Sequence, residues 1–482
     1  MRSRVARHLD PVILESELDL AVSNLPVVAF LAGNLSAEAL PGDAPPAEFN
    51  WRDYAAMLLD VAAEIEHSLM VQYLFAAYSL GGPQVPSELR GEVRAWQETI
   101  LGVAKEEMGH LLTVQNLHTA LGLPLHLDRE DYPWGSDFYP FDFSLERLTL
   151  DTLSTYVCAE SPSGWSGAEA DEIRARAARE AHGEVNRVGA LYEAIKRILA
   201  DRSLIPDTAF DASTVPRQAS WDEWGRGYTQ GARGESSNVP GVPAPDLLIL
   251  EVSSRDSALH ALDEIGEQGE APKQQSNSGE DSHFVRFLAI YRALRKLDPP
   301  VRDLVSRRMQ TNPTAGSMTE PDACAWAHLF NLRYRMLLVN LAHAFELADL
   351  PGEGAAVNPR GALINRTFAE MYNLRAIAGV LVELHAQRSG PEGPRNAGPP
   401  FEMPYTLALP RGEHNRWILH RNLLEASAAL VDALRPLVST LGENYLTALS
   451  ESDALALDQV ERMLGDGGIK VAAGTGHGGF EA

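Results

Sequence analysis

The sequence predicts an all-α protein, and three observations lead there. Apolar residues recur over stretches far longer than a strand, glycine and proline punctuate them at helix-length intervals, and only two short segments read as strand-like. The first stretch, WRDYAAMLLDVAAEIEHSLMVQYLFAAYSL from Trp51, carries apolar residues on nearly every face and stops at Gly81-Gly82-Pro83. A helix that is apolar all round is a buried helix. The second runs from about Glu88 to Leu121 and ends at Gly122 and Pro124. So short a linker between two long helices predicts antiparallel packing.

The rest of the chain follows the same punctuation. A proline- and aromatic-rich connection, DYPWGSDFYPFDF, covers 131–143, and a third helix is expected from about Ala168 to Ala200. Residues 201–250 read as a long insertion with turn-rich parts TVPRQASW and NVPGVPAPD, closing on DLLILEV as a short strand or lead-in. A fourth helix covers about Arg255 to Gln268, Gly269 breaks it, and the helical pattern resumes at Ser282. Residues 322–347, 363–384 and 414–438 are helical candidates of a second region, with the glycine- and proline-rich stretch 389–400 between the last two. The expected organisation is an extension over 1–50, where LDPVILES suggests a strand or turn. A bundle over 51–300 and a second helical region over 301–450 follow, then a segment 451–482 ending in a flexible glycine-rich tail.

Bulk composition excludes several partners. A formal net charge of -25 with no long basic run argues against a nucleic-acid backbone. The apolar stretch LPVVAFLAGNL at 25–35 is too short and too far in for a signal peptide or a membrane span. A soluble, cytoplasmic protein is the default expectation, with a homodimer as the default assembly. Cys158 and Cys324 are too few and too isolated for a disulfide framework and read as buried small side chains or free thiols.

Chemistry concentrates in the first bundle. In AKEEMGHLLTVQNL, residues Trp96, Ile100, Val103, Glu107, His110 and Val114 follow spacings of three and four, which puts Glu107 and His110 on an apolar face. Glu-x-x-His lets one helix offer an oxygen and a nitrogen to one metal centre. An ordinary intrahelical hydrogen bond is the competing explanation. Glu106, one position round the helix, is expected in a supporting role or at solvent. On the first helix Glu64 shares a face with Met57, Val61 and Val71, while Glu66 and His67 in EIEHS compete for the inward position. His67 fits either a ligand or a partner to a ligand.

Glu184 is the best inward carboxylate of the third helix by periodicity with Val188, Leu191 and Ile195, and Glu193 is its competitor. The fourth contribution comes from one of two sets. Either Glu280 and His283 form a second Glu-x-x-His, or Glu264, Glu267 or Glu270 supplies oxygen and His283 only nitrogen. Two such pairs with further carboxylates on separate helices is the ligand arithmetic of a di-iron or di-manganese carboxylate bundle. Tyr73 on the first helix stands near enough to pass an electron or proton, or serves as a hydrogen-bonded core tyrosine. Trp51, Trp96 and Phe284 read as core, and His328 and His343, lacking a carboxylate at this spacing, as structural.

The stretches EIEHSLMVQYLFAAYSL, AKEEMGHLLTVQNLHTALG, IGEQGE, SHFVRFLAI and AGPPFEMPY resemble the ferritin-like proteins related to the iminophenyl-pyruvate dimer synthases of bacterial violacein- and rebeccamycin-type biosynthesis. The resemblance extends over about Trp51 to Val438. It implies a ferritin-like four-helix bundle with an added helical C-terminal region, and it places Glu64, Glu107, His110 and His283 on the family's metal-site segments. The QGE element favours Glu270 or Glu267 over Glu280. The implied function is a di-metal oxidase or oxygenase with two iron ions, manganese being compatible, that uses dioxygen on an amino-acid-derived or other small organic substrate of secondary metabolism. Storage or detoxification of iron or manganese, and a metal-free helical binding or scaffold role, are the rival readings.

Overall fold

A computed structural model describes residues 45, 48–135, 139–181, 185–225, 247–271, 281–348, 358–389 and 393–465. The LDPVILES segment, the glycine-rich tail, NVPGVPAPD, Glu184 and Glu280 lie outside the described residues.

Helix α1 spans Trp51–Ser79 and α2 spans Arg90–Ala120. The side chain of Asn50 opens α1 by accepting from the amides of Arg52 and Asp53, satisfying two of the free N–H groups of its first turn. Helix α2 closes on Gly122 at φ 67°, where the amide of Leu123 reaches back to the carbonyl of His118 at 2.8 Å. That geometry needs a left-handed residue, which glycine supplies without steric cost. The two helices pack against each other along their lengths.

Around this pair stand α3 (Leu150–Ala159), α4 (Ala168–Glu180), α5 (Val188–Ala200), α6 (Arg255–Glu270) and α7 (His283–Lys296). Helix α7 packs on α3, α5 on α6, and α5 also on α1. The single helix expected over 168–200 is therefore two, ending at Glu180 and restarting at Val188. Ser282 caps α7, so His283 is its first residue.

DLLILEV forms no strand over its described residues. It lies along α2, whose Thr113 donates to the carbonyl of Leu248 at 2.8 Å and whose Asn116 donates to that of Leu250 at 2.9 Å. Gly109 makes that approach possible, since a Cβ there would meet the Leu248 backbone at 3.1 Å. The backbone polar groups of the segment are thus met by helix side chains instead of a sheet.

The second half contains α8 (Pro321–Glu346), α9 (Pro359–Leu381), α10 (Glu413–Leu434) and α11 (Thr440–Gly465). Helix α8 packs on α9 and α10, and α10 on α11. A two-stranded antiparallel sheet, β1 (His385–Gln387) with β2 (Arg395–Asn396), is its small addition. This half docks on the outer face of α1 and α2. Tyr334 of α8 hydrogen-bonds His67 of α1, and Arg375 of α9 pairs with Glu98 of α2 at 3.0 Å. Among the described residues no helix is long and apolar enough to cross a membrane, and both cysteines are free thiols.

Candidate metal centre

Helix α2 buries Glu106, Glu107 and His110 together, and three other elements bring partners to them. Glu66 comes from α1, Glu160 from the residue that caps the C-terminus of α3, and His283 from the first turn of α7. The result is two buried trios, Glu66–Glu107–His110 and Glu107–Glu160–His283, each with its ligand atoms within 4.8 Å of one another. They share Glu107. Nδ1 of His110 lies 2.9 Å from one Glu107 oxygen, and Nδ1 of His283 lies 2.9 Å from the other. Nδ1 of His110 is also 3.3 Å from Glu66, and Nδ1 of His283 is 3.7 Å from Glu160. The two imidazoles face each other at 5.5 Å with 28° between their planes.

The far side of each ring is held. Nε2 of His110 meets Oε1 of Gln268 on α6 at 2.8 Å, and Nε2 of His283 meets Glu106 at 3.0 Å. Glu106 is in turn clamped by Arg286. An acceptor at Nε2 fixes the proton there in a neutral ring and turns the Nδ1 lone pair toward the carboxylates. Metal-ligating histidines are held in this way.

Among the described residues, four buried carboxylates, Glu66, Glu106, Glu107 and Glu160, face one guanidinium here. Each costs several kcal/mol, by order of magnitude, to remove from water unless positive charge compensates it. Without a metal, the imidazoles supply that charge. Burial by itself would lower the pKa of His110, but hydrogen bonds to Glu107 and Glu66 push it up to about 10. His283 goes well above its ordinary value for the same reason, with Glu107, Glu106 and Glu160 around it. Burial and the Glu107 carboxylate raise Glu66 to about 7. Burial works against ionised Glu107 too, yet His283 and His110 hold it well below the usual range.

Three atoms test whether the site fits a metal. Oε2 of Glu66, Oε1 of Glu107 and Nδ1 of His283 are buried without an aligned hydrogen bond. Buried polar atoms that make no aligned hydrogen bond are costly and uncommon, even where, as with Oε1 of Glu107 and Nδ1 of His283, they face each other at 2.9 Å. Here they are oxygens and an imidazole nitrogen converging on one place, a donor set suited to iron, manganese or zinc.

Two tyrosines finish the shell. Tyr73 donates to Glu160 at 2.6 Å, and Tyr192 of α5 donates to Glu66. Burial, with Glu160 and Glu107 adding to it, lifts the Tyr73 phenol well above 10, so it stays protonated. Its ring packs between Tyr156 at 4.8 Å and Phe287 at 4.9 Å.

Of the residues expected at the centre, Glu107, His110 and His283 are brought together, with Tyr73 one hydrogen bond away. Glu64 is not among them. It is half-buried and bound to His126 at 3.1 Å and Tyr139 at 3.0 Å, and Glu66 takes the inward position of that turn. Glu270 borders the small cavity beside Glu66, held by the Gly189 amide at 2.7 Å and Arg187 at 3.1 Å, and belongs to neither trio. Burial raises its pKa to about 8, against the pull of Arg187. Glu193 pairs with Arg187 near the surface, and Glu264 lies 3.8 Å from His260. His67 turns from the trios to Leu127 and Tyr334. Sequence reasoning passed over Glu160 and Gln268. The one local signal for Glu160 is a carboxylate closing the apolar run LDTLSTYVCAE.

Residues 59–292 match the family model described as Ferritin-like. They form a ferritin-like domain. The chain is 29% identical to dichlorochromopyrrolate synthase of Lentzea aerocolonigenes over 72% of its own length and 36% of that protein's. It is 26% identical to 2-imino-3-(indol-3-yl)propanoate dimerase of Chromobacterium violaceum, over 79% of this chain and 37% of that one. The chain thus spans little more than a third of the curated relatives it matches. A crystal structure of a ferritin-like protein from Caulobacter vibrioides aligns with 69% of this chain and 98% of its own, at 18% identity and a TM-score of 0.40.

Proposed function

We propose that the ferritin-like domain holds two iron ions and that the protein is an oxidase or oxygenase of a small, amino-acid-derived substrate. One observation carries the reading: two buried carboxylate–imidazole trios share Glu107, and the outer nitrogen of each imidazole is anchored by Gln268 or Glu106. Glu66, Glu107 and His110 would hold one ion, and Glu107, Glu160 and His283 the other. When bound, such a pair supplies activation of dioxygen and the oxidising capacity that side chains lack.

The chain's own groups then set the conditions. Gln268 and Glu106 keep the imidazoles oriented, and Arg286 compensates the Glu106 charge. Tyr73 and Tyr192 hold protons against Glu160 and Glu66, where each is one hydrogen bond from a ligand oxygen. Leu69, Val188 and Ile265 give the adjoining cavity apolar walls that limit water, while Glu270 offers one polar contact beside them. The substrate class follows the relatives, one of which acts by its name on an imino acid bearing an indole.

Metal analysis of the protein loaded anaerobically with ferrous iron tests the reading, and two ions per chain are expected. Less than about half an ion per chain after reconstitution would sink it. With iron bound, oxygen uptake driven by 2-imino-3-arylpropanoates and not by the parent amines is the expected outcome.

A further inference from the structure

A second chamber lies on the other side of α1 and α2 from the metal centre. Its volume is about 380 Å³, and Met70 and Met108 of the bundle face Phe368 of α9, Trp224 and Phe401 across it. Along α2, Lys105 and Met108 line this chamber while Glu107 and His110 line the metal centre. Residues two positions apart on a helix, as Lys105 and Glu107 or Met108 and His110 are, lie about 200° apart round its axis, so α2 itself stands between the two places. The volume falls within the range of small-molecule sites, and the walls have the composition of one, mostly apolar with few polar groups.

Beside the hydroxyls of Tyr78, Tyr334, Thr367 and Tyr372, the charged groups are cationic: Lys105 and Arg375 line the chamber, and no carboxylate is among the described residues that do. Arg375 also lines an adjoining cleft of about 360 Å³ that contains Arg90, Arg94 and Arg307, again without a lining carboxylate among the described residues. Tyr78 and Leu101 are common to both spaces. In a chain of net charge -25 such a gathering is unexpected on composition alone. Arg375 pairs with the largely buried Glu98, and Arg307 with the exposed Glu383. Lys105 and Arg375 line one largely apolar space, and two like charges placed there are relieved when an anion sits between them.

We infer that this chamber is a binding site for an aromatic monocarboxylate, with its planar body among Trp224, Phe368 and Phe401 and its carboxylate against Lys105 and Arg375. The rings of Trp224, Phe368 and Phe401, set among aliphatic walls, favour a flat ring system over a flexible alkyl chain, because rings stack and lose little rotamer entropy on binding. The site is separate from the metal centre and does not depend on metal being bound.

Calorimetric titration of the full chain with 2-naphthylacetate tests this, with quenching of tryptophan fluorescence as a second readout. Saturable binding of one ligand per chain is expected, with at least tenfold weaker binding of the uncharged 2-ethylnaphthalene and of decanoate. Lys105→Met should weaken 2-naphthylacetate at least tenfold, and Leu338→Trp, which fills the chamber, should remove binding. Glu107→Ala should leave binding intact, which separates failure here from failure of the metal reading. Absence of saturable binding, indifference to both chamber variants, decanoate binding as tightly as the aryl acid, or loss of binding in Glu107→Ala would each overturn the inference. Thermal unfolding of each variant distinguishes a lost site from a lost fold.

Discussion

Among the described residues, two buried histidine pairs stack, and they differ in what surrounds them. In the bundle, His110 and His283 stand 5.5 Å apart at 28°. In the second half, His343 and His420 stand 5.1 Å apart at 18°. The second pair closes on itself. Nδ1 of His343 meets Nε2 of His420 at 2.9 Å, Nε2 of His343 meets Glu413 at 3.0 Å, and none of the three carries an orphaned buried atom. The first pair does not close. Its rings point at carboxylates instead of at each other, carboxylates outnumber imidazoles, and three atoms are left without an aligned partner. Stacked buried histidines are therefore no sign of a metal by themselves. An excess of convergent ligand atoms over aligned hydrogen bonds is the distinguishing feature.

The largest effect expected from this contrast is at Glu107, which serves both trios. Glu107→Ala should take iron from two ions per chain to none, while Glu413→Ala, the matching change in the closed cluster, should leave both. Metal analysis with circular dichroism on each variant checks this, and retention of two ions by Glu107→Ala would break the comparison. Next comes the choice between two glutamates on α1. Glu66→Ala should remove one ion of two, and Glu64→Ala should remove neither, since Glu64 is occupied by His126 and Tyr139. The reverse pattern would restore Glu64 as the ligand.

That choice shows where the sequence was legible. Helix α2 is buried nearly all round from Ile100 to Ala120, but in its sequence Trp96, Ile100, Val103 and Val114 recur at spacings of three and four with Glu107 and His110, so these two emerge from periodicity. Helix α1 is covered by the bundle on one side and by α8 on the other, so apolar residues surround it and fix no phase. Glu64 and Glu66 are then indistinguishable by pattern, and only the fold separates them. Glu160 ends a short helix whose closing position has no periodicity to read. Gln268 is a neutral amide, invisible to a search for ligands, and its place is set by where α6 crosses α2. The division of 168–200 into two helices was equally hidden, because alanine, arginine and glutamate read as helix throughout. The all-helical class, by contrast, follows from the spacing of apolar runs and breakers, and the described residues add one small sheet to it.

A smaller effect is expected at the groups that hold the ligands. Gln268→Ala removes the acceptor at Nε2 of His110 and frees the ring to turn. Losing such a partner typically weakens metal affinity by about 10- to 100-fold. Competition with a chelator should show that loss with the two-ion stoichiometry kept at saturating iron. An unchanged affinity would mean that packing alone orients the imidazole.

The smallest expected effect is on stability against pH in metal-free protein, where the two clusters should pull in opposite directions. His110, raised to about 10 by Glu107 and Glu66, contributes stability that is full below its ordinary value of 6.5 and lost as pH rises through 10. His420 is lowered by burial, with the Arg366 cation adding to it, so its contribution is full above 6.5 and lost as pH falls below that value. Thermal unfolding of His110→Gln should therefore show a flatter decline on the alkaline side than the parent protein. His420→Gln should show a flatter decline on the acid side. Bound metal replaces the protons on the bundle imidazoles, so ferrous iron should flatten the alkaline limb and leave the acid limb of the second cluster in place. Iron acting equally on both limbs would mean that the two clusters are not the separate kinds of site their geometry describes.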